Sequence, residues 1–225
     1  MEIKPIKDEL TGRWTIEGLE SSEMTFNRLC QLLRSGKNFK FARYGDGEFN
    51  AIFGKKGSNC DGHEYFPDLG VKLKNSFSKR AITGIQPLAL TLPYATEALK
   101  LLEGCNLVNA DVLHNASIDG QLYKMVEILK DRNVVCVGPA HLVPLFDQMI
   151  IIKDKNCWLD YERTIENIRF LMEPDKVFLL CASMMSEVII KHFEYETVTM
   201  IDCGSVFDPY VKINSRRYHH KLKLS

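Results

Sequence analysis

Six consecutive residues, Arg43-Tyr44-Gly45-Asp46-Gly47-Glu48, carry a guanidinium and two carboxylates directly after the apolar, partly alternating run Phe39-Lys40-Phe41-Ala42. Gly45 and Gly47 permit a turn that brings the carboxylates together and lets a ligand approach the backbone. Hard oxygen donors of this kind suit Mg²⁺ or Mn²⁺. Two carboxylates are too few for an all-protein cage, so the remaining ligands would come from a phosphate-bearing substrate. Arg43 offers bidentate pairing to an anionic oxygen. The same residues also read as a surface turn with Arg43 in a structural ion pair. Glycines on either side leave Asp46 and Glu48 no evident packing role, so both are expected to be dispensable for folding.

Three later segments hold chemistry at expected strand ends. Gly138-Pro139-Ala140-His141 follows Val137, and Ser183-Met184-Met185-Ser186 follows Ala182. Gly138 and Ser183 could border a phosphate, since ligands in parallel α/β sheets lie beyond the carboxyl ends of strands. His141 could bind a diphosphate, a metal or nothing. Ser183 and Ser186 serve equally well as helix caps. Asp202 and Asp208 lie in the last such segment, where either could act as a base, orient a substrate hydroxyl or cap a turn. His219 and His220 beside Arg216 and Arg217 read as a basic tail, residues 214–225, solvated or holding an anionic acceptor.

The elements that must position these groups alternate. Helical spacing follows Ser22, with Phe26, Leu29, Leu32 and Leu33 apolar and Gly36 as the stop, and Ser22 with Thr25 could cap it. After strand 39–44 the apolar face resumes from Phe49 to Phe53, where a helix could start; 54–68 reads as an exposed loop. Helix 69–80, strand 81–85, helix 96–102, strand 107–113 and helix 121–129 follow. Strands then fall at 134–137, 149–152, 177–182 and 198–202, with a helix after Gly138-Pro139 and helices at 161–171 and 186–193. Short, unbroken apolar strands are what a sheet covered on both faces requires, and their alternation with helices predicts an α/β Rossmann-like sandwich with a mostly parallel sheet. Residues 1–20 read as a loosely structured lead-in to a single domain spanning 1–225.

Composition narrows the partners. Lys plus Arg and Asp plus Glu both number 29, and this balance disfavours nucleic acid as the main ligand. The seven cysteines include no CxxC pair, and Cys136, Cys181 and Cys203 sit in apolar runs, as expected of buried thiols in a reducing compartment. Nothing resembles a signal peptide or a membrane span, so a cytoplasmic protein is expected. Neither GxGxxG nor Walker A occurs, and GxSxG and HExxH are absent too.

Ala42-Arg43-Tyr44-Gly45-Asp46-Gly47-Glu48-Phe49, followed by Ile52 and Gly54, resembles the opening signature of bacterial glycosyltransferases of the GT-D fold, formerly a family of unknown function. Fainter likeness continues through Asn109–Gly120, Val134–Gly138, Asp175–Ser186 and Asp202-Cys203-Gly204. Two departures stand out: Ala182-Ser183-Met184 replaces the usual Gly-Pro-Thr, and Asp208 lies four residues after Gly204 rather than three. The resemblance implies a GT-D-type fold and a metal-dependent transferase moving a sugar from a nucleoside-diphosphate sugar, a UDP-sugar first. The acceptor would be a saccharide, lipid-linked glycan or glycoprotein hydroxyl. Asp46 and Glu48 would be catalytic and hold Mn²⁺ or Mg²⁺. Arg43, Gly45, Gly47, Asn115, Gly138, His141 and Ser183 would bind the donor, and Asp208 would be the base. Direct displacement would invert the anomeric centre, and a homo-oligomer is allowed. The alternatives are a metal-dependent nucleotide phosphohydrolase or phosphotransferase, and a non-catalytic nucleotide-binding protein.

Overall fold

The computed structural model describes residues 4–9, 12–216 and 219. Seven strands form one sheet in the order β5-β4-β3-β9-β8-β6-β7, every neighbouring pair parallel. They are β3 (Lys40–Tyr44), β4 (Ile82–Ile85), β5 (Asn106–Asn109), β6 (Val134–Pro139), β7 (Met149–Ile152), β8 (Val177–Leu180) and β9 (Thr199–Asp202). Parallel pairing throughout puts the carboxyl ends of all seven on one rim. The chain steps outward from β3 to β4 and β5, then builds the other half, so β3 and β9 flank the place where strand order reverses. Crevices at such reversals are where open α/β sheets take ligands.

Side-chain alternation divides the core into two layers. Tyr44, Ile85, Val137, Phe178 and Leu180 face a cluster with Phe49 of α2 (Asp46–Ile52), Leu69 and Leu73 of α3 (Pro67–Lys74), Ile165 and Ile168 of α7 (Tyr161–Leu171) and Ile189 of α8 (Met185–His192). Phe41, Ile82, Cys136, Leu179 and Ile201 face the other cluster. That layer holds Leu29 and Leu33 of α1 (Ser22–Ser35), Val112 and Leu113 of α5 (Val112–Ile118) and Met125 of α6 (Tyr123–Leu129). Each fully buried Leu, Ile or Phe contributes about 1.5–3 kcal/mol. The remaining helix, α4 (Ala95–Leu101), buries Ala98. Cys136, Cys181 and Cys203 are buried free thiols, as expected.

Several boundaries differ from the sequence reading for local reasons. Ser21, not Ser22 or Thr25, caps α1 by accepting from the Met24 N–H at 3.2 Å, and Gly36 ends it at φ 72°. Strand β5 stops at Asn109, whose Oδ1 accepts from the Asp111 N–H at 2.8 Å, so Val112 and Leu113 are helical. After Pro139 comes a 3₁₀ turn, Ala140–Leu145, containing Pro144. Within the supposed lead-in, β1 (Pro5–Lys7) pairs antiparallel with β2 (Trp14–Ile16). This hairpin is anchored by Asn109 Nδ2 donating to the Trp14 carbonyl at 3.2 Å and by the Arg13–Asp119 ion pair. Among the described residues no helix is long and apolar enough to cross a membrane.

Candidate functional site

The turn after β3 is tighter than the sequence suggests. Gly45 is the N-cap of α2, so Asp46 and Glu48 stand on the first helical turn and not in an open loop. Side chains two apart on a helix diverge. Asp46 is exposed, whereas the Glu48 carboxylate folds back to accept from the Gly45 N–H at 2.7 Å. That bond is half of a capping box and gives Glu48 the structural role the sequence reading denied it. A Cβ at Gly45 would sit 2.9 Å from Gln86 Oε1 and 3.2 Å from Glu48 Oε2, so a larger residue here would push aside these two side-chain ends, the capping carboxylate among them.

Around these residues lies a cavity of about 380 Å³, lined by Arg43, Gly45, Asp46, Gly47 and Glu48 together with Glu187, Asp202 and Arg216. Arg43 reaches from β3 to β9, donating to Asp202 Oδ2 from Nε at 2.9 Å and to Oδ1 from Nη2 at 3.3 Å. Burial penalises the guanidinium charge, but attraction to Asp202 outweighs this and raises the Arg43 pKa. Arg43 Nη1 also meets His114 Nε2 at 3.2 Å. Burial lowers the His114 pKa against the opposing bond to Asp111, so its neutral ring accepts from Arg43. A side chain at Gly204, where φ is 54°, would collide with Arg43 Nη2.

This carboxylate lobe holds more acid than Arg43 neutralises. Burial pushes Glu48 up to about 7 despite the opposing Gly45 N–H, and Asp202 adds to the rise. Glu187, 1% exposed at the start of α8, is raised well above the ordinary carboxylate range by burial, then by Asp202 and Glu48. Among the described residues its Oε2 has no hydrogen-bond partner. Sequence reasoning missed Glu187, although an acid inside the apolar run Met184-Met185-Ser186-Glu187-Val188-Ile189-Ile190 was a readable signal. Gln86, Asp111 and His114 carried none. Among the described residues no group of three or more His, Cys, Asp or Glu is gathered to hold a metal alone. A surplus of carboxylates with an orphaned buried oxygen does fit a hard cation that draws its other ligands from phosphate.

A second lobe of about 540 Å³ opens toward β6 and β7. His141 lines it, with Nε2 3.2 Å from Asp208 Oδ1 and Nδ1 3.7 Å from Asp154 Oδ1. Asp208 is 7% exposed, and its other oxygen accepts from Ser215 Oγ at 2.5 Å. With both oxygens engaged Asp208 is poorly placed to meet an acceptor directly; His141 is the more open partner. Ser183, at φ 47°, lines both lobes and accepts from Asn59 Nδ2 at 3.0 Å. Neither Ser183 nor Ser186 caps α8 through its side chain.

Two residues expected at the donor site lie elsewhere. Asn115 faces α1, donating from Nδ2 to Ser22 Oγ at 3.0 Å, and lines neither lobe. Gly138 is packed beneath the second lobe, where a Cβ would lie 3.1 Å from both Cys181 Cβ and Leu142 Cδ1. The basic tail is not wholly solvated: His219 is 3% exposed and Arg216 lines both lobes, while Arg217 and His220 fall outside the described residues.

No family model and no curated protein matches the sequence. Solved structures do match. A new glycosyltransferase (DUF1792) from Streptococcus sanguinis superposes with a TM-score of 0.64 at 16% identity, over 85% of this chain and 82% of that one. A selenomethionine-substituted domain of unknown function 1792 gives 0.61 at 12% identity, over 84% of each chain. A third, described as domain of unknown function 1792 with a distinct glycosyltransferase fold, gives 0.59 at 12% identity over 84% of each. The fold is of the GT-D type. The expected α/β Rossmann-like sandwich is therefore found, with its sheet parallel throughout.

Proposed function

We propose that the chain is a metal-dependent glycosyltransferase that takes a sugar from a nucleoside-diphosphate sugar, UDP-linked first, and passes it to a glycan, glycoprotein or related hydroxyl. The carrying observation is the acid-rich lobe at the strand-order reversal, where Glu48, Glu187 and Asp202 crowd around one buried guanidinium. Asp46 and Glu48 would hold Mn²⁺ or Mg²⁺, and Glu187 lines the same lobe. A bound ion supplies Lewis-acid neutralisation of charge on the departing diphosphate.

The chain's own groups have separable tasks. Arg43 is fixed by Asp202 and adds a constant positive field beneath the lobe. In the tautomer that donates Nε2–H to Asp208, 3.2 Å away, His141 would present Nδ1 to take the acceptor proton. As the acceptor oxygen bonds to the anomeric carbon, the bond to the diphosphate oxygen breaks and its electron pair leaves with the nucleotide. This direct displacement inverts the anomeric centre. A set of nucleotide sugars tested for thermal stabilisation of the protein, with and without Mn²⁺, checks the reading. A metal-dependent shift with one nucleotide class is expected; no shift with any donor would overturn it.

A further inference from the structure

We infer that the junction between the two lobes is a diphosphate-binding site whose cation is Arg216; this deepens the nucleotide-sugar reading and rests on it. The sequence assigned phosphate pairing to Arg43, but that side chain is only 12% exposed and has two nitrogens committed to Asp202. A ligand cannot recruit it without stripping Asp202 of its buried counter-charge, which is costly. Arg216 is differently placed. It lines both lobes, as do Cys60, Ser183 and Gly204, so it stands where a ligand spanning the two must pass.

Arg216 is held, though by exchangeable partners. Its Nε donates to Ser205 Oγ at 3.2 Å, Nη1 contacts Cys60 Sγ, and Nη2 pairs with Asp61. The Arg216 and Asp61 side chains are 28% and 25% exposed. Such partly solvated pairs contribute little net stability, so another anion can replace the carboxylate without leaving a buried orphan. A diphosphate is suited to do so, because its oxygens match the guanidinium fork in a bidentate arrangement. The Ser183 hydroxyl accepts from Asn59, which leaves its own hydrogen for a phosphate oxygen at the same junction. Asp61 thus occupies the guanidinium while the site is empty, and the diphosphate takes its place. Cys60 and Asp61 both belong to the loop between α2 and α3, so a bidentate exchange at Nη1 and Nη2 releases that loop from Arg216.

Calorimetric titration of the full chain in Mn²⁺, with UDP and separately with inorganic pyrophosphate, tests this. Arg216→Gln should weaken both ligands at least about tenfold, and Arg216→Lys should recover part of the loss. Asp61→Asn separates binding from scaffolding: it should leave affinity unchanged or tighter, whereas a purely structural Arg216–Asp61 tie requires it to weaken binding as Arg216→Gln does. Equal weakening by the two variants, or wild-type affinity in Arg216→Gln, overturns the inference. Should Arg216→Gln fail to fold, the comparison of Arg216→Lys, expected weaker, with Asp61→Asn decides in the same way. Wild-type binding of pyrophosphate but of no nucleoside diphosphate would sink the nucleotide-sugar reading and leave the anion site standing. Binding of neither removes both.

Discussion

Asp46 and Glu48 are neighbours in sequence with different physical circumstances. Asp46 is exposed on the first turn of α2 and makes no side-chain hydrogen bond within the described structure, so Asp46→Asn should leave unliganded thermal unfolding nearly unchanged. Its effect should fall on function: weaker nucleotide binding in Mn²⁺ and at least a hundredfold slower transfer, about the scale of a lost transition-state electrostatic contact. Glu48 differs because its carboxylate closes the helix start on the Gly45 N–H. Glu48→Gln keeps an oxygen for that bond and should cost little stability, whereas Glu48→Ala should cost about 1 kcal/mol. Both should slow transfer alike. Urea denaturation beside donor-turnover assays separates the two roles, and equal stability of the Gln and Ala variants would count against the cap.

At the scale of elements, α2 is placed by its contact with α3. A Cβ on Gly70 would run into the Ala51 carbonyl oxygen, which is backbone and cannot swing aside. Gly70→Ala should therefore destabilise the fold by about 2 kcal/mol and, by displacing the helix that carries Asp46 and Glu48, weaken nucleotide binding as well. A variant of wild-type stability and affinity would show the helices free to separate. Most elements were legible in the sequence because periodicity reports burial: strand Met149–Ile152 and helix Tyr161–Leu171 fall where their apolar patterns put them. The hairpin at Pro5–Lys7 and Trp14–Ile16 was not, since three-residue strands are too short to show alternation. The Gly45 turn is legible but the helix start at Asp46 is not, because a carboxylate that caps a helix and one that holds a ligand look alike in sequence. Site partners were harder still: Arg43 and Asp202 lie 159 residues apart, and no local pattern announces such a pair. Arg216 was assigned to a tail for the same reason.

Stability belongs to the whole molecule, and one buried charge gives it a measurable pH dependence. Lys40 opens β3 on the rim opposite the cleft and is 4% exposed, with Nζ donating to the Glu196 carbonyl at 2.9 Å and the Val198 carbonyl at 2.5 Å. Burial lowers its pKa to about 8 from 10.5, against a smaller attraction to Glu196. A base with a depressed folded-state pKa costs stability fully below that value, because both states are then charged and only the folded one is desolvated. Between about 8 and 10.5 the unfolded chain holds more protons, so this cost disappears as pH rises. Buried Tyr44 and Cys203, whose pKa values are raised by burial, pull total stability the opposite way over the alkaline range. The difference between wild type and Lys40→Met cancels those shared contributions. Measured by urea unfolding, that difference should move in favour of the wild type by about 2 kcal/mol between pH 7.5 and pH 10.5, a discounted value at roughly 1.4 kcal/mol per pKa unit. A difference independent of pH would mean that Lys40 titrates alike in both states, and that its two carbonyl partners offset the whole cost of burying the charge.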